Sequence, residues 1–355
     1  MNVRSVSDQD GRSQGVVRAF VGRSVLVTGG ASFIGSHLVD ALVAVGAQVR
    51  VVDDLSSGKL VNIGRHVDSG TIEFERADLL DPLVAAKVVA GMHTVFHLAA
   101  NHGGRGYVDL HQADCATNLL LDGVVFRACR LAGVEKVVYA SSGCVYPNHL
   151  QTDPTERLFL TEDQVGPPYD ADNMYGWAKL MGELTLRALY REHGVKSVSC
   201  RYFTVYGPRG HENHAVMAMI ARAFIRQDPF DVWGSGRQVR NWTYVSDIVA
   251  GTLLAAARID DARAVNLGTR ERIRVIDAVR RVLESTGHRP EIRLREDMPT
   301  GPMNRVADPS LAERLLNWTP RVRFEDGLRT TIDWYLNSHC QNDVAGRLAH
   351  RLTER

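Results

Sequence analysis

At 355 residues and 45% apolar composition, the chain can build a full globular core in one large domain or two smaller ones. Its 42 basic and 41 acidic side chains leave a net charge of +1, which excludes a global field drawing it to nucleic acid or an anionic membrane. Five scattered cysteines without C-x-x-C spacing speak against a disulfide framework or structural zinc, so no metal is expected, and with no apolar leader or long apolar run a reducing cytoplasm fits.

Residues 1–22 are polar and aperiodic, and are expected to be a flexible extension. Ser24-Val25-Leu26-Val27-Thr28 then reads as a strand, Gly29-Gly30-Ala31-Ser32-Phe33-Ile34-Gly35 as a glycine-rich turn, and Ser36 to Val45 as a helix closed by Gly46. A second strand, Gln48 to Val52, ends in Asp53, about twenty residues after the turn. Strand, glycine turn, helix, strand and acid make a dinucleotide-binding unit. Its glycines let backbone approach a pyrophosphate at a helix N-terminus, and Asp53 would accept from the adenosine ribose hydroxyls, favouring NAD over NADP. Thr71 to Arg76 leads to Asp78-Leu79, where such folds contact adenine. Thr94 to Ala100, which includes Leu98 and Ala99, is another buried strand whose end can lie along the cofactor.

A glycine-dense loop, Asn101-His102-Gly103-Gly104-Arg105-Gly106-Tyr107, follows, then a helix from about His111 to Leu131 containing Asn118. The next apolar run, Val137 to Ala140, leads straight into Ser141-Ser142-Gly143-Cys144. Two hydroxyls and a thiol thus stand at the carboxyl end of a parallel strand, where open α/β sheets bind ligands. The competing reading is a polar loop with one inert Cys.

Tyr175 and Lys179 lie near the start of a helix running to about His193, and their i, i+4 spacing lets both face one site, although the same spacing is ordinary in structural helices. Strand and helix alternate regularly to about residue 200, which predicts a Rossmann-type doubly wound parallel sheet. The expected organisation is a NAD-binding Rossmann domain over 23–203, a smaller α/β substrate lobe over 204–340 and a tail over 341–355.

Taken together, these residues resemble the extended short-chain dehydrogenase/reductase family of sugar-nucleotide epimerases and dehydratases. The resemblance runs from Ser24 to Trp334 through Thr28 to Gly35, Asp53, His97-Leu98-Ala99-Ala100, Ser141-Ser142, Tyr175 with Lys179, Tyr206-Gly207-Pro208 and Asn266-Leu267-Gly268. Ser32 departs from it, standing where the family usually has its middle glycine. Within the family, Gly103-Gly104-Arg105-Gly106-Tyr107-Val108 and Ser141 to Pro147 are most similar to the GDP-mannose 3,5-epimerases, which carry a catalytic cysteine at the position of Cys144. Galactose 4-epimerases typically have Thr there, and 4,6-dehydratases an Asp-Glu pair.

The resemblance implies NAD, a nucleotide-sugar substrate with a GDP-sugar favoured, and a homodimer through helices near 111–131 and 172–193. Tyr175 would take the proton from the sugar C4 hydroxyl, helped by Lys179 and Ser142; its reference pKa near 10 must then fall by about three, roughly 4 kcal/mol. Cys144 would act on the protons that a C4 ketone acidifies at C3 and C5. The family's opposing lysine is missing after Gly207-Pro208, which leaves His211 or His214 as the substitute. Gly103, Gly104 and Arg105 would surround the sugar, and Arg240 and Arg305 would bind the diphosphate. An NDP-sugar 4-epimerase, a 4,6-dehydratase and an inactive NAD-binding scaffold are the alternatives.

Overall fold

The computed structural model describes residues 11–354, and its architecture follows from the apolar runs. Seven strands form one parallel sheet: β1 (Ser24–Thr28), β2 (Gln48–Asp53), β3 (Ile72–Arg76), β4 (Thr94–His97), β5 (Lys136–Ser142), β6 (Lys196–Tyr202) and β7 (Asp261–Leu267). Their order is β7-β6-β5-β4-β1-β2-β3. The winding direction therefore reverses between β1 and β4, where Thr28 pairs with His97. Both faces carry helices, so the central strands are buried throughout, as their unbroken Val, Leu and Phe runs require. The sheet's reversal point opens a crevice above the carboxyl ends of β1 and β4, which is where a doubly wound sheet holds its ligand.

Beyond β6 the chain builds a second apolar core around Tyr206, Met217, Ile220, Trp242, Phe324 and Tyr335. Short two- and three-stranded sheets frame it, pairing Val239–Arg240 with Ile273–Arg274 and Asn304–Arg305. The crevice lies between this core and the large sheet.

Five features differ from the sequence reading. Residues 11–20 form a helix rather than a flexible extension: Val16 and Phe20, one turn apart, bury against the sheet's flanking core, and the Phe20 ring lies 5.7 Å from Phe96. Residues 1–10 of that expectation lie outside the described residues. The region after 204 returns β7 to the large sheet, where its buried Ala264, Val265 and Leu267 pair in parallel with β6. The strand expected to reach Ala100 stops at His97, the helix expected over 111–131 is two pieces, Gln112–Ala116 and Asn118–Leu131, and a short helix, Arg105–Leu110, precedes them from within the expected glycine loop. Finally, the tail expected over 341–355 contains a helix, Gln341–Arg351, that buries Val344 and Leu348. No helix among the described residues is long and apolar enough to cross a membrane.

Candidate active site

A cavity of about 510 Å³ runs along the carboxyl ends of the central strands and under the second core. At one end is the glycine turn. Gly29 has φ +67°, and a Cβ there would meet the Ala99 backbone nitrogen at 2.9 Å; a Cβ on Gly35 would meet the Gly29 carbonyl at 2.2 Å. Only glycine allows this tight return of the helix Phe33–Ala44 onto the strand end. Ser32 keeps φ at −78° and donates from Oγ to the Gly29 carbonyl, so serine suits a position the family usually gives to glycine.

Gly29, Ser32, Phe33, Ile34, Asp53, Asp78, Leu79, Leu98 and Ala99 all line this end; Gly35 lies behind the turn and shapes it instead. The Asp53 carboxylate accepts from the amides of Ala31 and Leu55, both at 2.9 Å, which fixes it at the tip of β2. These residues fit a dinucleotide, because the turn brings bare backbone and a helix N-terminus to the cavity wall with a buried carboxylate beside them.

In the middle of the cavity, β5 presents Ser142 and Cys144 while Ser141 turns back to donate to Glu183. Period-two alternation explains why adjacent serines serve opposite sides. A short 3₁₀ turn over Gly143–Val145 follows, and Ser142 Oγ accepts from the Cys144 amide at 3.1 Å. Gly176 lets the tyrosine helix Asn173–His193 approach this turn, since a Cβ there would meet the Cys144 carbonyl at 2.3 Å. Arg305 Nη1 donates to Cys144 Sγ at 3.2 Å, so the sulfur has a cationic donor.

On that helix Tyr175 and Lys179 both face the cavity. Burial, followed by the nearby Cys144, Cys115 and Asp122, raises the Tyr175 phenol well above its ordinary range, and a hydrogen bond with Ser142 opposes this. The expected fall is therefore not supplied by the chain's own groups. Lys179 is 1% exposed and its Nζ has no hydrogen-bond partner; it sits 4.6 Å from the Tyr139 ring centroid and 5.8 Å from that of Tyr175. Burial lowers its affinity for a proton, and Asp122 partly restores it. An orphaned buried ammonium beside the tyrosine also fits a polar cofactor such as a nucleoside ribose. Behind it, Thr28, His97, Asp122 and Tyr139 form a buried chain of hydrogen bonds, with His97 bonded to Thr28 at 2.8 Å and to Asp122 at 3.0 Å.

At the far end, Gly104 presses the β4 loop against the 211–214 loop, where a Cβ would lie 1.6 Å from the Asn213 carbonyl, and Gly103 makes room for the Tyr107 side chain, which a Cβ would meet at 2.6 Å. Asn118 pins the start of the β4 loop by bonding both the amide and the carbonyl of Asn101, at 2.6 and 2.9 Å. Arg105, Arg240 and Arg305 all line the cavity. Arg105 pairs with Asp109 and Asp172, Arg305 with Asp172 and Gln151, and Arg240 donates to the carbonyls of Val239 and Thr300. Burial, then Arg305 and Arg105, push the Arg240 guanidinium down to about 9. Three arginines against Asp109 and Asp172 leave this end short of negative charge, which suits an anionic group.

His211 and His214 both line the cavity, and burial holds each at about 4, with His214 and Lys59 adding to the effect on His211. Both are therefore neutral imidazoles at pH 7. Sequence reading did not single out His102, whose ring stacks on Tyr175 at 4.7 Å and lies 5.4 Å from His214. Its place between β4 and the paired glycines was the available signal. Arg222, Trp233 and Gln238 also line the cavity, yet nothing in their local patterns sets them apart from core or turn residues.

Comparison with known proteins agrees with this geometry. The NAD dependent epimerase/dehydratase family matches residues 25–268. GDP-mannose 3,5-epimerase 1 of Oryza sativa subsp. japonica is 29% identical over 315 residues, covering 87% of this chain and 81% of its own length. UDP-glucose 4-epimerase of Thermus thermophilus, solved in complex with NAD, superposes with a TM-score of 0.78 at 29% identity, covering 89% of this chain and all of that one. The dTDP-glucose 4,6-dehydratase DesIV of Streptomyces venezuelae, solved as a double mutant with NAD bound, gives 0.81 at 25% identity, covering 88% and 97%. With its seven-stranded parallel sheet, glycine turn and Tyr175–Lys179 helix at one cavity, the chain belongs to the NAD dependent epimerase/dehydratase family, as an NAD-dependent enzyme of the isomerase class.

Proposed function

We propose that the chain is a GDP-mannose 3,5-epimerase or a C5-only relative, working in the cytoplasm as a homodimer through a transient 4-keto sugar. The observation that carries this reading is the thiol of Cys144, which shares the cavity with Ser142, Tyr175 and Lys179 and receives a hydrogen bond from Arg305.

Bound NAD would supply a reversible hydride acceptor for the sugar C4, with net redox of zero. Gly29, Ser32, Phe33, Ile34 and Asp53 would hold it, with Lys179 reaching its ribose. Tyr175 takes the C4 hydroxyl proton, with Ser142 sharing the developing charge. The raised pKa of the buried phenol, with Lys179 already beside it, means that Tyr175 needs further positive charge close by, which the nicotinamide of bound NAD would supply. The C4 carbonyl then acidifies C3 and C5. Cys144 removes a proton on one ring face, leaving an enolate, and one returns on the other face through the neutral imidazole of His214 or His211, which gives up its N–H proton as its other nitrogen takes one from solvent. Arg240 and Arg305 meet the diphosphate, while Gly103, Gly104 and Arg105 surround the sugar.

A 4-epimerase acting on a UDP-sugar is the second reading. The match to a UDP-glucose 4-epimerase over that enzyme's whole length favours it, and it needs Ser142, Tyr175 and Lys179 but not Cys144. Incubation with GDP-mannose and NAD in D2O, followed by proton NMR, separates the two. Deuterium at C5, alone or with C3, with L-gulose or L-galactose products, supports the first. No exchange at either carbon, with C4 inversion of a UDP-sugar, replaces it with the second.

A further inference from the structure

The loop after β6 carries His211 and His214 on the cavity wall, while Glu212 between them points away from it. Glu212 is 1% exposed, yet three groups converge on its carboxylate: Arg347 at 2.8 Å, Arg351 at 3.2 Å and the Tyr335 hydroxyl at 3.2 Å. Arg347 and Arg351 belong to the C-terminal helix Gln341–Arg351 and lie one turn apart on it. A surface pair of this kind would be worth little, but a buried carboxylate stripped of its partners is costly. The segment that follows the helix completes the arrangement. Leu352 lines the cavity, its carbonyl occupies the space 2.4 Å from where a Gly106 Cβ would stand, and Asn213 Nδ2 donates to the Glu354 carbonyl at 3.3 Å. The end of the chain thus touches both loops that frame the sugar end, the glycine loop and the histidine loop.

We propose that Glu212 is a positioning residue that clamps the C-terminal helix onto the active site, so that this helix and Leu352 form a wall of the sugar pocket and hold His211 and His214 facing it. The inference rests on the reading of these histidines as the acid/base group opposite Cys144. Burial follows from the same wall: with it in place, both imidazoles sit at about 4.

Full-length Glu212→Gln and the milder Arg351→Met test this, with ring-nitrogen NMR titration of the histidines and deuterium exchange from D2O into the sugar as readouts. The expected result is movement of the His214 midpoint, held down by burial alone, from about 4 toward about 6.5, an ordinary imidazole, in both variants, with His211 following in Arg351→Met, where the loss of a nearby positive charge acts in the same direction. Exchange should slow by about tenfold to a hundredfold, as expected for a displaced catalytic group, while NAD affinity is unchanged. Unmoved histidine midpoints in both variants overturn the clamp, whatever happens to exchange. If Glu212→Gln does not fold, Arg351→Met decides alone. A wild type that exchanges no sugar proton refutes the proposed sugar chemistry, and the histidine midpoints still decide whether the clamp exists.

Discussion

Arg305 joins Cys144 to Asp172: one guanidinium nitrogen donates to the sulfur at 3.2 Å and the other to the carboxylate at 2.9 Å. Asp172 opens the tyrosine helix, and its amide donates to the Cys144 carbonyl at 2.9 Å, so the thiol turn and the helix bearing Tyr175 are tied together. Burial raises the Asp172 carboxyl, but Arg305 and Arg105 outweigh it and hold it below the ordinary range. Replacing Arg305 with Met should slow sugar-proton exchange by about a hundredfold, and Lys should recover only part, because an ammonium cannot span both partners in one plane. Wild-type exchange in Arg305→Met would show that the sulfur does not need its donor.

Cys144→Ala and Cys144→Ser ask whether the sulfur itself does chemistry. Both should fold, since the residue is only partly buried and free. Both should lose deuterium incorporation at C3 and C5 by about a thousandfold, because alanine carries no base and a serine hydroxyl, unlike a thiol, scarcely ionises near neutral pH. Reduction of bound NAD by the substrate should persist, because Tyr175 and Lys179 remain. Full epimerisation by Cys144→Ala points instead to 4-epimerisation.

The parts of this site that were legible in sequence are those carried by local pattern. The run Val25 to Thr28, the glycines at 29 and 35 and the acid at 53 must sit together because a βαβ unit brings them together. Cys144 was legible because a reactive side chain directly follows a buried strand. What the sequence did not reveal is long-range. Arg305 meets Cys144 across 161 residues, and Glu212 meets Arg351 across 139. The helix at 341–351 has only Val344 and Leu348 as buried anchors, and that short i, i+4 pair is lost in a polar stretch until its arginines are seen to share one buried carboxylate.

Lys179 offers a test in which stability and activity move apart. Its ammonium is buried without a hydrogen-bond partner, and leaving such a group unsatisfied costs about 1–3 kcal/mol. Lys179→Met keeps the volume and removes that cost, so the ligand-free variant should melt at the wild-type temperature or a few degrees above it. NAD affinity and turnover should both collapse, turnover by about a thousandfold or more. A large drop in melting temperature would mean that the ammonium is a structural member of the Asp122 network.

Acid should destabilise the fold in two stages. His211 and His214 are held at about 4 against 6.5 unfolded, so their contribution is complete above 6.5 and is lost as pH falls toward 4. Glu212 is at about 2 against 4.5 unfolded, because its partners outweigh burial; its contribution is lost as pH falls from 4.5 toward 2. Urea unfolding at several pH values should show stability rising with pH between 4 and 6.5, with a shallower slope in His214→Asn. An unchanged slope in that variant would assign the window to other groups, His37 being the first candidate because burial holds it at about 4 as well.

The neighbouring helices Asn118–Leu131 and Asn173–His193 leave large apolar side chains in solvent: Leu119 and Leu120 on the first, and Trp177 and Met181, one turn apart, on the second. Apolar groups clustered on adjoining helices mark an interaction face, and a second copy related by a two-fold axis would cover it with the same residues. The tyrosine helix would then have its outer face fixed in the dimer while its inner face holds Tyr175 and Lys179, which couples assembly to the geometry of the site. Light scattering should give twice the 39.3 kDa chain mass at micromolar concentration. Leu120→Glu with Trp177→Glu should yield a folded monomer with turnover reduced by about tenfold, because charges at a buried contact cost several kcal/mol. A wild-type monomer would refute the interface, and a dimer that survives both substitutions would move it to another face.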